Sequence, residues 1–300
     1  MMNVNWNGVY PAVTTKFFEN GDLDLGNFAK NIEAQIHAGV HAIVLGGTLG
    51  EASTLTNDEK LTLVRETKSI SNGRVPVIVN IAESRTENAI AFAKAAEQAG
   101  ADGLMLLPPM RYSADDRETV HYFGRIASST NLPIMIYNNP VDYKIEVTLD
   151  MFEALEQYEN IQAVKESTRD ISNITRMRNR FGDRYKILSG VDTLAMESLL
   201  MGADGWVAGL VCAFPAETVA IYNYIKAEEI EKARAIYRWF LPLLELDINA
   251  KLVQNIKLAE VATGIGTAYV REPRLLLEGE EKEQVEKIIN DALASRPKID

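Results

Sequence analysis

A lysine ends one of the apolar runs of this chain. Lys165 follows Ile161, Gln162, Ala163 and Val164 and precedes Glu166, Ser167 and Thr168. An ammonium group has a reference pKa of about 10.4, so on the order of one amine in a few thousand is neutral at pH 7, and an apolar, dry surround lowers that pKa by several units. A neutral amine is a nucleophile toward carbonyl carbon. The other reading is a packed stem whose ammonium reaches water beside Glu166. Tyr137 ends the preceding run, IMIYNNP. Its phenol could pass a proton to or from an adduct on Lys165, or it could simply cap the core. The turn GGTLGE (46–51) offers Gly47, the Thr48 hydroxyl, Leu49 and a set of backbone N–H groups able to converge on an anion. The GxxxxGK[ST] pattern of a phosphate loop is absent, so a carboxylate is the better-sized guest. In SGVD (189–192), Gly190 would let a ligand approach the backbone closely, or serve the turn alone.

These residues need elements to hold them together. Short runs rich in Val, Ile and Leu recur through the chain: VYPAVTTKF (9–17), HAIVLGG (41–47), PVIVNIA (76–82), DGLMLLPP (102–109), PIMIYNNP (133–140), IQAVKES (161–167), YKILSGV (185–191) and GWVAGLV (205–211). Most are continuously apolar, as strands buried on both faces are. Helical stretches lie between them, such as 88–100, where Ala89, Phe92, Ala93, Ala96 and Gly100 share one face. Several helices end at a glycine followed at once by a strand, as at Gly39, Gly100 and Gly202. Eight βα units in succession predict a closed (β/α)₈ TIM barrel, with an open doubly wound sheet as the alternative. After Gly209 the pattern turns to nearly continuous helix over 217–246, 247–264 and 278–295, read as a C-terminal helical extension and not as another barrel unit. The chain divides into a barrel, 1–225, and an extension, 226–300. Trp239, Phe240, Leu241, Leu243 and Leu244 make the extension too apolar to stand in water, so it must pack on the barrel or on another subunit.

Composition narrows the partners. Across 300 residues, 31 Lys and Arg face 42 Asp and Glu, a formal net charge of −11 that argues against nucleic acid. The single cysteine, Cys212, allows no disulfide within the chain, and no window approaches a membrane span. The beginning MMNVNWNGVY has neither a basic nor an apolar leader segment, so the reading is a cytoplasmic, soluble protein. His37, His41 and His121 form no HExxH or carboxylate cluster, so no metal site is expected, and no GxSxG elbow marks a serine hydrolase.

Taken together, the motifs resemble those of the class I Schiff-base-forming lyases that include dihydrodipicolinate synthase and N-acetylneuraminate lyase. GGTLGE resembles that family's G-T-T/S-G-E turn, YNNP its Y-N-x-P, AVKEST its strand-six lysine and SGVD its S-G-x-D, all in the family's order. The resemblance covers nearly the whole chain. It implies a (β/α)₈ barrel with a helical extension, commonly a homotetramer, and a covalent lysine Schiff base without metal or organic cofactor. By position, Lys165 would form the imine with a 2-oxo acid and Tyr137 would relay its proton. Thr48, with the N–H groups of Thr48 and Leu49, would hold the substrate carboxylate, and its hydroxyl would contact Tyr137. Gly47, Gly190 and Val207 would line the pocket.

Two departures bear on substrate. Leu49 replaces the second hydroxyl residue of the turn. Dihydrodipicolinate synthases usually carry an Arg two residues after the Pro of Y-N-x-P, where it binds the carboxylate of the aldehyde substrate; here that position is Asp142, which should repel it. The tyrosine pair of T-P-Y-Y is also missing, and LPPMRY offers Tyr112 as a substitute lining residue. A closer likeness is to 1-pyrroline-4-hydroxy-2-carboxylate deaminases of hydroxyproline breakdown, through PAVTTKF, GWVAGLVCAFPAETVAIY, AIYRWFLPLLELD and LVQNIKLAEV. The resulting expectation is a lyase that dehydrates and deaminates a cyclic imino acid to 2,5-dioxopentanoate. A 4-hydroxy-tetrahydrodipicolinate synthase, a 2-keto-3-deoxy sugar acid dehydratase or aldolase, and an idle barrel that binds a 2-oxo acid are the alternatives.

Overall fold

The structure is a computed structural model that describes residues 2–109 and 111–299. Eight strands form one parallel sheet: β1 Gly8–Pro11, β2 Ile43–Leu45, β3 Val77–Ile81, β4 Gly103–Leu106, β5 Ile134–Asn138, β6 Ile161–Glu166, β7 Lys186–Ser189 and β8 Gly205–Ala208. From β2 to β8 each strand pairs with the next in sequence, and β8 returns to pair with β1. The seam between β1 and β2 is closed by a parallel bridge, Ala12 to Val44, with the Val13 N–H donating to the Val44 carbonyl at 3.0 Å. The predicted TIM barrel is the fold observed. An open sheet would have left edges at β1 and at β2, and here neither exists.

The helices are α1 Leu25–His37, α2 Asn57–Ser71, α3 Thr86–Gln98, α4 Asp116–Ala127, the single turn α5 Pro140–Tyr143, α6 Leu149–Leu155, α7 Ser172–Phe181, α8 Ala195–Leu200, α9 Pro215–Lys226, α10 Ile230–Leu244, α11 Leu252–Ala262 and α12 Gly279–Ala294. Local chemistry sets their ends. Thr56 with Glu59, and Asp115 with Glu118, form reciprocal capping boxes that start α2 and α4. Gly39, Gly100 and Gly202 follow their helices with φ of +88, +95 and +99°, the left-handed C′ geometry that a Cβ opposes. Along α3, Ala89, Phe92, Ala93 and Ala96 are the buried face. With nearly every strand residue buried, each core Val, Ile or Leu contributes roughly 1.5–3 kcal/mol of hydrophobic stabilisation.

One sequence expectation needs correction. The stretch 217–246 reads as one continuous helix that is not a barrel unit, yet it is two helices, of which α9, falling almost entirely within the 1–225 bounds, packs against β1 and α8 as the eighth helix of the barrel. Only Ala227, Glu228 and Glu229 separate α9 from α10, and Glu228 takes a left-handed φ of +61° without being glycine, so no Gly or Pro announces the break. Beyond it, α10 lies against α9 and α12. Phe240 stacks with Trp239 and meets Phe214 edge-on at centroid distances of 5.5 and 5.6 Å, while the Trp239 indole N–H donates to the Ala292 carbonyl at 2.9 Å. Phe240, Leu243 and Leu244 are buried within the chain, whereas Leu241 remains exposed. Among the described residues, no helix is long and apolar enough to cross a membrane.

Two fully buried ion pairs tie α11 to the barrel mouth. Lys16 bonds Glu260 at 2.8 Å, and Lys257 bonds Glu51 at 2.6 Å. Glu51 closes the GGTLGE turn with a left-handed φ of +54°, and its other oxygen accepts the Arg271 N–H at 3.0 Å. The extension thus clamps the turn that carries Thr48.

Candidate active site

Register brings the reactive pair together. Tyr137 on β5 lies beside Lys165 on β6, and Lys165 lies beside Leu188 on β7. Paired residues of neighbouring strands point to the same face, so both side chains enter the barrel at its C-terminal mouth. Glu166, one residue on, points the other way and accepts from Asn173 Nδ2 and the Thr168 N–H, each at 2.8 Å. The reading of Lys165 as an ammonium escaping to water beside Glu166 is therefore excluded by the period of two along a strand.

Lys165 is 8% exposed and, among the described residues, makes neither a hydrogen bond nor an ion pair. Its Nζ stands 4.1 Å from the centre of the Tyr137 ring. Burial pulls its pKa below the ordinary lysine range, against the opposing pull of Tyr143, Asp247, Asp192 and Asp142. Burial also pushes Tyr137 up to about 12, so its phenol keeps its proton at neutral pH. The Tyr137 oxygen accepts from Asn139 Nδ2 at 3.1 Å, which leaves the phenol proton free to be donated elsewhere. The same Asn139 amide reaches Asp142 at 2.7 Å, and Asn139 caps the turn α5 by accepting the Asp142 N–H. Asp142 is thereby held at the cavity rim, exposed to solvent.

A cavity of about 90 Å³ is lined by Gly47, Thr48, Leu49, Tyr137, Lys165, Gly190 and Val207, the residues singled out from the motifs. Ala12, Asn139, Asp142, Ser167, Arg169 and Asp247 are also on its wall. Gly190 is there for space and not for a turn: a Cβ at that position would sit 2.0 Å from Ser167 Oγ and 2.7 and 2.8 Å from Lys165 Cγ and Cε. The lysine stem lies directly over the glycine. In the GGTLGE turn, the Glu51 and Ala52 N–H groups bond back to the Thr48 and Gly47 carbonyls. The N–H groups of Thr48 and Leu49 have no acceptor among the described residues, which leaves them available to an anion.

Two expectations are corrected by the geometry. The Thr48 hydroxyl contacts Tyr143 at 2.8 Å, not Tyr137. Tyr143 in turn packs edge-on against Tyr137, ring centres 5.5 Å apart, and burial pushes it up to about 12. Tyr112 does not line the cavity: it is 60% exposed, in a loop where Arg111 takes a φ of +67°, and its hydroxyl donates to the Glu118 carboxylate at 3.1 Å. Three residues escaped the reading of the motifs. Tyr143 sits one short turn after YNNP, a position with no periodic signal. Asp192, quoted within SGVD without a role, accepts from Trp206 Nε1 at 2.9 Å, from the Gly209 N–H at 3.1 Å and from the Leu210 N–H at 2.9 Å, bracing the end of β8. Asp247 comes from the extension, where nothing in the chain order points to the barrel mouth.

An amine that burial draws toward its neutral form, with a proton carrier against it and an anion seat across the cavity, is equipped to form imines with 2-oxo acids, so fold and site define a Schiff-base-forming lyase on a (β/α)₈ barrel. The chain belongs to the Dihydrodipicolinate synthetase family, which it matches over residues 5–292. Enzymes of this family work through a covalent lysine Schiff base with pyruvate and use no external cofactor. Among similar proteins, the 4-hydroxy-tetrahydrodipicolinate synthase of Exiguobacterium sibiricum is 33% identical over 273 residues, 90% of this chain and 91% of the relative. That of Methanococcus aeolicus is 32% identical over 95% of this chain and 98% of the relative. The crystal structure of a dihydrodipicolinate synthase from Bacillus anthracis superposes with a TM-score of 0.93 at 29% identity, covering 99% of this chain and all of the other.

Proposed function

We propose that Lys165 is the imine-forming nucleophile of this lyase and that its substrate is 1-pyrroline-4-hydroxy-2-carboxylate, converted to 2,5-dioxopentanoate and ammonia. The observation that carries the substrate choice is Asp142, a carboxylate on the cavity rim where a synthase of the family would place a cation for its second, anionic substrate. A neutral hydroxylated ring with one carboxylate needs no such cation. Its carboxylate meets the Thr48 and Leu49 N–H groups.

In this mechanism the Lys165 amine attacks C2, the bond from C2 to the ring nitrogen breaks, and the ring opens to a C2 imine on Lys165 with a primary amine on C5. Tyr137, a neutral phenol whose oxygen already accepts from Asn139, donates its proton to the departing nitrogen and later recovers one. Loss of a C3 proton gives the enamine, whose electron pair expels the 4-hydroxyl. Migration of the double bond turns the C5 amine into an imine. Hydrolysis at C5 releases ammonia, and hydrolysis at C2 frees Lys165 and the product, so that substrate plus water gives 2,5-dioxopentanoate plus ammonia.

A second reading, 4-hydroxy-tetrahydrodipicolinate synthase, is favoured by the names of the curated relatives and by Arg169, whose guanidinium group is a cation on the same cavity wall. One experiment decides between them: ammonia release from the pyrroline substrate set against condensation of pyruvate with aspartate semialdehyde. The first activity is expected. Turnover only in the second would overturn the substrate choice, and the absence of a borohydride-stable pyruvate adduct on Lys165 would remove the imine chemistry altogether. The family resemblance further supports a cytoplasmic homotetramer as the working form, for which light scattering of the purified protein is the check.

A further inference from the structure

Asp247 reaches the cavity from outside the barrel. It lies on the 3₁₀ turn Glu245–Ile248 between α10 and α11, and its carboxyl group joins the wall that Lys165, Asp142 and Gly209 line. Gly209 makes room for it: a Cβ there would sit 2.6 Å from Asp247 Oδ1. The neighbouring acids are engaged: Asp192, behind the cavity wall, accepts from three N–H donors, and Asp142 accepts from Asn139 at the solvent-exposed rim. Asp247 has no hydrogen-bond or ion-pair partner among the described residues. Burial, with Asp192 beside it, raises its pKa well above the usual carboxylate range, Lys165 opposing. A carboxyl group in this setting is a proton donor in search of an acceptor.

We propose that Asp247 is the acid that protonates the 4-hydroxyl of the substrate as it leaves, an assignment that rests on the reading of the previous subsection. The C3 proton is carried away to solvent, the electron pair it leaves forms the enamine, and that pair breaks the bond from C4 to oxygen. The Asp247 proton goes to the departing oxygen, so water and not hydroxide is released. The carboxylate left behind takes a proton back from solvent before the next turnover. The extension is thus part of the chemistry: it delivers the acid to a barrel whose own strands supply the nucleophile and the relay.

The test pairs Asp247→Asn with two substrates, 1-pyrroline-4-hydroxy-2-carboxylate and its 4-fluoro analogue. Fluoride is a far weaker base than hydroxide and leaves without a donated proton. Ammonia release from the hydroxy substrate is expected to fall by about 10²–10⁴-fold in the variant. The loss on the fluoro substrate should stay below about ten-fold, because no donated proton is needed there. A borohydride-trapped pyruvate adduct on Lys165 in the same variant reports that the site has not collapsed. Equal losses on both substrates, or no loss on the hydroxy substrate, would overturn the assignment. If the wild-type protein released no ammonia from the hydroxy substrate, the substrate reading would fall and the role of Asp247 with it, a result distinct from either outcome in the variant.

Discussion

Gly190→Ala tests whether the barrel was built around the stem of one lysine. The added methyl would sit 2.0 Å from Ser167 Oγ, and 2.7 and 2.8 Å from Lys165 Cγ and Cε. The serine hydroxyl can rotate away. The lysine stem cannot, because its Cγ and Cε are the middle of the chain that carries Nζ, and regaining ordinary contact requires them to retreat by about 0.6–0.7 Å. A 1 Å misplacement of a reacting group costs on the order of 10²-fold in rate, so the imine should form about 10–100-fold more slowly. Overpacking of this kind destabilises by about 1–3 kcal/mol, or about 2–5 °C in Tm for a chain of this length. The assay is the rate of borohydride trapping with pyruvate, followed by mass spectrometry of the AVKEST peptide, with calorimetry alongside. Adding Ser167→Ala should return part of the stability and none of the rate. Trapping at the wild-type rate in Gly190→Ala would refute the reasoning, since the nitrogen would then be positioned by something other than the glycine beneath its stem.

Two other perturbations probe the electrostatics. Burial lowers the Lys165 pKa, so the neutral amine is present at lower pH than for an ordinary lysine, and the trapping rate should rise with pH and level off below about 10. A rate still climbing at the reference pKa would contradict this, and Lys165→Met should abolish trapping while leaving Tm unchanged or higher, since it replaces a group that resists charging. Lys257→Met leaves the buried Glu51 carboxylate, among the described residues, with the Arg271 backbone N–H at 3.0 Å and the more distant Arg274 guanidinium at 3.7 Å. Breaking such a pair costs about 3–5 kcal/mol, visible in denaturant unfolding, and Glu51→Gln in the same chain should recover much of it; equal stability of the two variants would argue against an uncompensated charge.

Much of the site was legible because a parallel barrel sends every strand's C-terminal end to one side. Once the apolar runs were counted as eight strands, residues at their ends, Thr48, Tyr137, Lys165 and Gly190, had to share a mouth, and the family resemblance added Val207. What escaped has particular causes. The Thr48 hydroxyl finds Tyr143 because Asn139 caps a one-turn helix that swings that ring inward, and four residues are too few for a periodic signal. Tyr112 was drawn to the site by a family pattern of aromatics, but Glu118, engaged in its own capping box, holds the phenol on the surface. The break between α9 and α10 within 217–246 went unread because Glu228 takes a conformation that usually calls for glycine.

Order and period along the chain determined the fold class, the strand that carries the nucleophile and the set of strand ends that face one another, since each follows from local hydrophobic pattern and parallel pairing. Only the tertiary structure decided that the Lys165 stem rests on Gly190, that its nitrogen stands against the Tyr137 ring without an ion-pair partner among the described residues, and that Asp247 reaches the same cavity from 82 residues further along the chain. These depend on register between strands and on where a separate helical layer docks. Both are set by packing between segments distant in sequence, which leaves no periodic trace in either segment alone.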